Sequence, residues 1–371
     1  MTRRSGKNTA KNVFELMEKE NCRQITFHYN PKTKLKLIWV IDSIPEKRDK
    51  YGKLNKEVSA SGGTRFAHKD LDIALQDALK LARAMTRKAN VLGVKEGGCK
   101  AVALANQKKT KPFLYSIGDF IQIHKGLFKT AIDLGFVMED GKQIASKTDY
   151  VDSLSHLEKG LGSTGENTAE GMVYGFEIIC QEILHKPLSK CSIAIQGLGA
   201  VGFHLAERLI KRGCCVVGSD VIKSNCNKVR KIGVKIVSPT RILFQKVDIL
   251  SPCALGAIIN KKTIPKLKCK VIAGGANNPL ENEFLDEKNL LKKDIIYVPD
   301  FVLNCGGFLQ ALVERSGGTV QEARKKSTIV GTQLKYVINY SRKNKITLLG
   351  SASKLFDRSF RKPKTIKMIK S

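Results

Sequence analysis

Acidic residues are scarce in this 371-residue chain, which carries 34 Asp and Glu against 65 Lys and Arg and a formal net charge of +31. An excess of that size raises nucleic acid or another polyanion as a partner. The cations are scattered, however, and the chain lacks any RNP-like aromatic motif, zinc-finger spacing or helix-turn-helix pattern that would turn charge into a docking geometry. The charge therefore reads as a solvated surface, densest over residues 342–371, where Asp357 is the sole acid. Nucleic acid is not the expected partner, although the charge leaves that partner open. Long apolar runs are missing too, and none approaches the roughly 20 residues of a membrane-crossing helix. The N-terminus, MTRRSGKNTAKNVFELMEKEN, reaches its acids without an apolar stretch and does not fit a secretory signal, so the chain reads as cytoplasmic. The ten cysteines show no C-x-x-C pair and no neighbouring histidines, which argues against a zinc site or disulfide framework; no metal is expected.

What is present suggests two domains, since the length exceeds that of one ordinary core. Residues 25–42, ITFHYNPKTKLKLIWVID, hold two strand-like runs about Asn30 and Pro31 and read as a β-hairpin. A loop carrying Gly62 and Gly63 follows. Beyond it LDIALQDALKLARAM places Leu71, Leu75, Ala78, Ala82 and Met85 at helical spacing, with Asp70 and Asp72 where carboxylates favour the helix dipole. From Cys191 onward, short β-rich runs (SIAIQ, CCVVG, VDILS, CKVIAG, IIYVPD) alternate with helical stretches, the pattern of a doubly wound parallel sheet. The expected architecture is α/β: an N-terminal α/β domain over 1–165 for substrate binding and oligomerisation, a Rossmann-type domain over 166–340, and a basic, partly helical tail over 341–371.

The most informative local stretch is SIAIQGLGAVGFHLAERLIKRGCCVVGSD. Gly197 and Gly199 come directly after a strand, Gly202 opens an amphipathic helix that stops at Gly213, and the next strand ends at Asp220. Gly197 permits the tight turn, Gly199 lets backbone approach a pyrophosphate, Gly202 lets helix and strand pack, and the helix N-terminus offers N–H donors to phosphate. Asp220 suits the ribose hydroxyls and repels a 2′-phosphate, which points to NAD over NADP; nearby Lys223 works against that preference. In the N-terminal half, Lys88 closes a helix and Lys100 follows the pair Gly97-Gly98, where backbone can come close to a ligand, with the buried-looking strand AVAL behind it.

Eight blocks carry a resemblance to a known family: GGTRF at 62–66, MTRKANVLGVKEGGCKAVAL at 85–104, TAIDLG at 130–135, TDYV at 148–151, GLGAVG at 197–202, SPCALGAIIN at 251–260, VIAGGANNPL at 271–280 and VPDFVLNCGG at 298–307. In order and spacing, over about residues 60 to 310, they resemble the successive motifs of the Glu/Leu/Phe/Val dehydrogenases, nearest to the leucine-dehydrogenase-like members. The resemblance implies NAD-dependent oxidative deamination of an apolar L-amino acid to the 2-oxo acid and ammonia, by a homo-oligomer. It implies that Lys88, helped by Gly62 and Gly63, holds the substrate carboxylate, that Lys100 activates water, its pKa lowered by the neighbouring ammonium, and that Asp133 exchanges a proton with nitrogen. It puts Ala200 and Val201 beside the three glycines, and Cys253, Ala254, Asn278 and Asn304 with them, at the cofactor, and it makes Phe301 and Leu303 an apolar wall for the substrate side chain. Glutamate enzymes of this kind carry a lysine just before the double glycine. Ala60-Ser61 stand there in this chain, so no cation is expected to meet a γ-carboxylate.

The chain departs from the branched-chain pattern at Ser61, Ile132, Phe136 and Met172, positions that bear on pocket shape and nicotinamide contacts. A second reading, motivated by the charge, is a polyanion-binding protein that keeps the dehydrogenase fold with weakened chemistry. It leaves Lys88, Lys100 and Asp133 unexplained.

Overall fold

The structure is a computed structural model that describes residues 9–45, 59–152, 154, 161–254 and 256–357. The N-terminal eight residues and the last part of the basic tail lie outside the described residues. Two compact units are formed, residues 1–89 with 95–154, and residues 90–94 with 155–371.

The first unit is built on a six-stranded mixed sheet in the order β1-β2-β4-β3-β5-β6. Its strands are β1 (Gln24–Tyr29), β2 (Lys36–Ser43), β3 (Ala60–Ala67), β4 (Gly97–Leu104), β5 (Phe128–Ile132) and β6 (Val151–Asp152). The hairpin of β1 and β2 is present, its turn tied by Asn30 Oδ1, which accepts from the Lys32 and Thr33 N–H groups at 3.0 and 3.2 Å. Alternate residues point to opposite faces. Leu37, Trp39 and Ile41 enter a core with Phe113, Ile117 and Phe120 of the helix Lys111–Ile123, while Ile38 and Val40 pack with Ala74, Ala78 and Ala82 of the helix Leu71–Leu92. Both faces of the sheet are thus covered, which explains why β2 and β4 read as nearly continuous apolar runs.

One expectation is overturned here. Gly62 and Gly63 lie inside β3, not in a loop. Two glycines and a serine weaken β propensity, but a Cβ on Gly62 would overlap the Cys99 carbonyl of the adjacent strand. The strand exists because neighbouring groups fill the space that side chains would take.

In the second unit every pairing is parallel, in the order β12-β11-β10-β7-β8-β9. The strands are β7 (Ser192–Gln196), β8 (Cys215–Ser219), β9 (Lys235–Ile236), β10 (Ile249–Pro252), β11 (Val271–Ile272) and β12 (Ile296–Tyr297). Five coincide with the runs read from the sequence; β9 is two residues long and carries no apolar run to announce it. Strand order reverses between β7 and β10, which makes the C-terminal ends of these two strands the ligand crevice of such a sheet. The first unit ends at Leu154, before the expected division at 165, and the helix Gly165–Ile179 belongs wholly to the second. The helix Ile329–Asn344 runs through position 341, and the helix Leu348–Phe356 buries Leu349, Ala352 and Phe356, so this part of the expected tail is core of the second unit. Two long-range bonds complete that unit: Asn90 Nδ2 donates to the Phe356 carbonyl and Gln333 Nε2 to the Val91 carbonyl, each at 2.7 Å.

Candidate active site

Three adjacent parallel strands of the first unit place residues 63, 100 and 133 side by side. In register, Ser61 pairs with Gly98 of β4 and Lys129 of β5, and Gly63 with Ala131, so Gly63, Lys100 and the Asp133 that follows β5 share one face. Asp133 is held by its backbone: its N–H donates to the Thr64 carbonyl at 3.0 Å, and its own carbonyl accepts from Phe136 at 3.1 Å. Lys100 Nζ donates to Asp133 Oδ2. A Cβ on Gly63 would stand 2.8 Å from Lys100 Nζ and 3.1 Å from Asp133 Cβ. Any larger residue would press on that pair, which is the physical reason for glycine here.

The pair sits in a setting that shifts both groups. Lys100 is only 5% exposed, and burial lowers its pKa, against the pull of Asp133 and with help from the charge of Arg65. Arg65, which strand pairing across the sheet brings to this face, is a cation that acts on Lys100. For Asp133 burial works upward, but the Lys100 ammonium and the Arg65 guanidinium outweigh it and hold the carboxyl well below the usual range. A buried ammonium with a lowered pKa beside an ionised carboxylate can hold and hand over protons more readily than an ordinary lysine. Lys88, 8% exposed, is buried near the end of the helix Leu71–Leu92, which crosses this face of the sheet; its segment at Ala82 and Thr86 lies so close that a Cβ on Gly98 would overlap its backbone.

One row before Gly63 a lysine of the adjacent strand stands beside Ser61. The side chain of Ser61 donates to Glu96, and Lys129 Nζ lies 3.5 Å from Glu96 Oε1. Strand pairing brings residue 129 beside residue 61, a neighbourhood that no sequence spacing reveals. The ammonium is met by the Glu96 carboxylate, so the row offers a paired charge. Arg65, Asp77, Glu96 and Lys129 are the members of this cluster that the sequence reading did not single out. Only Arg65 had a signal, its place two residues after Gly63 and hence on the same face.

The second unit carries a glycine turn between β7 and the helix that follows it. Gly197 follows β7 with φ +91°, in the left-handed region that favours glycine, and a Cβ there would stand 2.6 Å from Ala254 Cβ. Gly199 caps the helix Ala200–Lys211, which therefore starts two residues before Gly202; Ala200 and Val201 form its first turn. A Cβ on Gly202 would overlap the Gly197 carbonyl, whereas one on Gly199 would meet no atom within 4 Å. Packing thus demands glycine at 197 and 202, while glycine at 199 keeps the helix N-terminus approachable. Asp220, directly after β8, accepts from the Leu198 N–H at 2.7 Å, the Ile222 N–H at 2.8 Å and Asn225 Nδ2 at 3.2 Å. Burial alone would raise its pKa, but these donors lower it, so an ionised carboxylate is tied to the glycine turn.

Cys253 and Ala254 follow β10 at the switch point, with the Cys253 N–H on the Gln196 carbonyl at 2.7 Å. Asn278 has φ +49° and its N–H donates to Asp300 Oδ2 at 3.0 Å. Asn304 Nδ2 donates to the Gly275 carbonyl at 3.2 Å and to Asn277 Oδ1 at 3.0 Å, leaving its buried Oδ1 without a partner among the described residues, as are Gln196 Oε1 and Ser219 Oγ. Buried acceptors of this sort are costly unless something else meets them. An approachable helix N-terminus, an oriented carboxylate and orphaned polar atoms at the strand ends fit a dinucleotide. Phe301 and Leu303, 1% and 0% exposed, are enclosed within the second unit, where Leu303 packs against Gly175.

Comparisons with known proteins agree with this architecture. Residues 219–344 match the profile of the Glutamate/Leucine/Phenylalanine/Valine dehydrogenase family. The chain is 34% identical over 306 residues to phenylalanine dehydrogenase of Lysinibacillus sphaericus, covering 80% of each. It is 32% identical over 348 residues to leucine dehydrogenase of Bacillus cereus, covering 92% of each. The crystal structure of L-tryptophan dehydrogenase from Nostoc punctiforme superposes with a TM-score of 0.73 at 31% identity, over 93% of this chain and 97% of that one. The chain belongs to the glutamate/leucine/phenylalanine/valine dehydrogenase family and is an amino-acid dehydrogenase that uses a nicotinamide cofactor.

Proposed function

We propose that this enzyme catalyses the reversible, NAD-dependent oxidative deamination of an apolar L-amino acid to the 2-oxo acid and ammonia. The observation that carries the reading is the pairing of buried Lys100 with half-buried Asp133 beside Gly63. Lys88, with backbone about Gly62 and Gly63, holds the substrate carboxylate. The bound dinucleotide supplies the acceptor for the hydride that leaves Cα. Lys100, in its neutral form, takes a proton from the water that adds to the resulting imine carbon, and Asp133 exchanges a proton with the nitrogen. Ammonia then leaves and the carbonyl remains. Gly197, Gly199 and Gly202, with Ala200 and Val201, receive the pyrophosphate, Asp220 the ribose, and Cys253, Ala254, Asn278 and Asn304 line the rest of the cofactor site.

Two features support the finer reading. The ionised Asp220 would repel a 2′-phosphate, which favours NAD. Beside Ser61, Lys129 is already paired with Glu96, whose charge opposes a γ-carboxylate; burying that carboxylate without a partner costs several kcal/mol. The relatives named for leucine, phenylalanine and tryptophan agree with an apolar side chain. The test is formation of reduced cofactor from a panel of L-amino acids with NAD and with NADP. Leucine, valine, isoleucine or an aromatic amino acid should be turned over with a far higher kcat/KM than glutamate, and with NAD. Glutamate as the best substrate, or a higher kcat/KM with NADP, would refute these assignments. A homo-oligomer is part of the same reading, supported by β1, an outer strand whose Phe27 and Tyr29 are exposed.

A further inference from the structure

The cluster about Asp133 extends past the two residues given the proton chemistry. Arg65 Nε donates to Asp133 Oδ2 at 3.1 Å, and its Nη2 lies 3.1 Å from the same oxygen. On its other side Arg65 Nη1 donates to Asp77 Oδ2 at 2.8 Å, and that oxygen stands 3.1 Å from His68 Nε2. Asp77 belongs to the helix Leu71–Leu92, so the guanidinium ties that helix to the end of β5. In order of contact the groups run Lys100, Asp133, Arg65, Asp77 and His68, with Lys100 the most deeply buried.

We propose that Arg65 is a positioning residue for the amino-acid dehydrogenase reaction: its planar fork pins the Asp133 carboxylate against Lys100, and Asp77 pins the fork. The inference rests on the reading of Lys100 and Asp133 as the proton-handling pair. A lysine alone is a point donor, under which a carboxylate rotates with little resistance about its broad terminal torsion. Two guanidinium nitrogens directed at one carboxylate oxygen remove that freedom. Asp77 is required because an arginine side chain is long and flexible and must itself be fixed at its far end. Conserving this geometry matters for rate, since a reacting group misplaced by about 1 Å can cost about 10²-fold.

The charge of Arg65 has a second effect. It is permanent, and it lowers both Lys100 and Asp133. Arg65 from β3 and Asp77 from the helix act on the pair, with His68 touching Asp77, and the buried Lys88 stands on the same helix. Removing the Arg65 charge therefore moves both groups upward. The rise of deamination rate with pH, set by loss of the Lys100 proton, should then move to higher pH.

The experiment compares pH profiles of kcat and kcat/KM for full-length wild type, Arg65→Lys, Arg65→Gln, Asp77→Asn and Lys100→Ala with the best amino acid found in the panel. Arg65→Gln should lower kcat about 10²-fold, move the alkaline rise upward and change the KM for the amino acid much less. Arg65→Lys keeps the charge without the fork, so kcat should fall while the profile stays in place. Asp77→Asn should give a smaller fall of the same kind. Wild-type kcat in Arg65→Lys, or in Arg65→Gln with an unmoved profile, overturns the proposal even where Lys100→Ala is inactive. Should Arg65→Gln fail to fold, Arg65→Lys decides alone. Wild-type turnover by Lys100→Ala overturns the proposal together with the reading beneath it.

Discussion

At the scale of single residues, Lys88 and Lys100 are both buried lysines, twelve positions apart by their numbering, and the reading gives them different work. Lys100→Ala removes a positioned acid–base group and should lower kcat about 10²- to 10⁴-fold, roughly 3 to 5 kcal/mol of barrier, while binding of reduced cofactor, followed by its fluorescence, persists. Lys88→Ala removes a contact made equally in ground and transition states, so the KM for the amino acid should rise with little change in kcat. A Lys88 variant that lost kcat at unchanged KM would reverse the two assignments. The residues that the sequence made visible were those embedded in motifs with their own local logic: Lys100 behind a double glycine, Asp220 at the end of a strand after a glycine turn. Asp77, Glu96 and Lys129 were not visible, because what gives each its partner is a contact across strands or from helix to strand. Residue type alone cannot separate them from the many solvated lysines and carboxylates of so basic a chain.

Elements were legible where burial has one period. The helix Leu71–Leu92 repeats its apolar positions at helical spacing, and β7, β8 and β10 are short apolar runs bounded by turns. β3 was not legible, since its sequence ASGGTRFA has the composition of a loop. Its identity comes from the strands on both sides, which pair with it over most of its length. The glycines of the two units therefore separate into two kinds, and a pair of substitutions tells them apart. Gly62→Ala forces a Cβ onto the Cys99 carbonyl of β4 and should destabilise the protein by several kcal/mol, seen as a large fall in Tm. Gly199→Ala meets no atom within 4 Å, so Tm should stay near that of wild type while the KM for the cofactor rises. Equal losses of Tm in the two variants would mean that glycine at 199 serves packing after all.

For the molecule as a whole, the dominant quantity is its net charge of +31. Between residues 221 and 280 Asp248 is the sole acid, and it is already engaged by Lys186 at 2.6 Å and Lys270 at 3.3 Å. The remaining lysines of that stretch, such as Lys223, Lys231, Lys261 and Lys268, are exposed. Self-repulsion of this kind opposes the compact state and is screened within a Debye length of about 8 Å at physiological ionic strength. Thermal unfolding followed across a salt series should show Tm rising as salt is added. A Tm that fell with salt would mean that the ion pairs of Arg208 with Glu166 and Glu170 and their like outweigh the repulsion. Close self-association faces the same repulsion, so assembly by size-exclusion chromatography with light scattering should likewise strengthen with added salt.

The two bonds that Asn90 and Val91 make with Phe356 and Gln333 also set an order of events during synthesis. Residues 90–94 leave the ribosome early yet belong to the second unit. Their partners lie 266 and 242 positions later in the chain. The first unit holds all its described strands once residue 152 has emerged, whereas the second must wait for the end of the last described helix before its earliest segment finds its place. Closing a loop of that length costs entropy that only the finished unit repays. A nascent chain halted before residue 329 should therefore resist protease in its first unit and remain open to cleavage in its second.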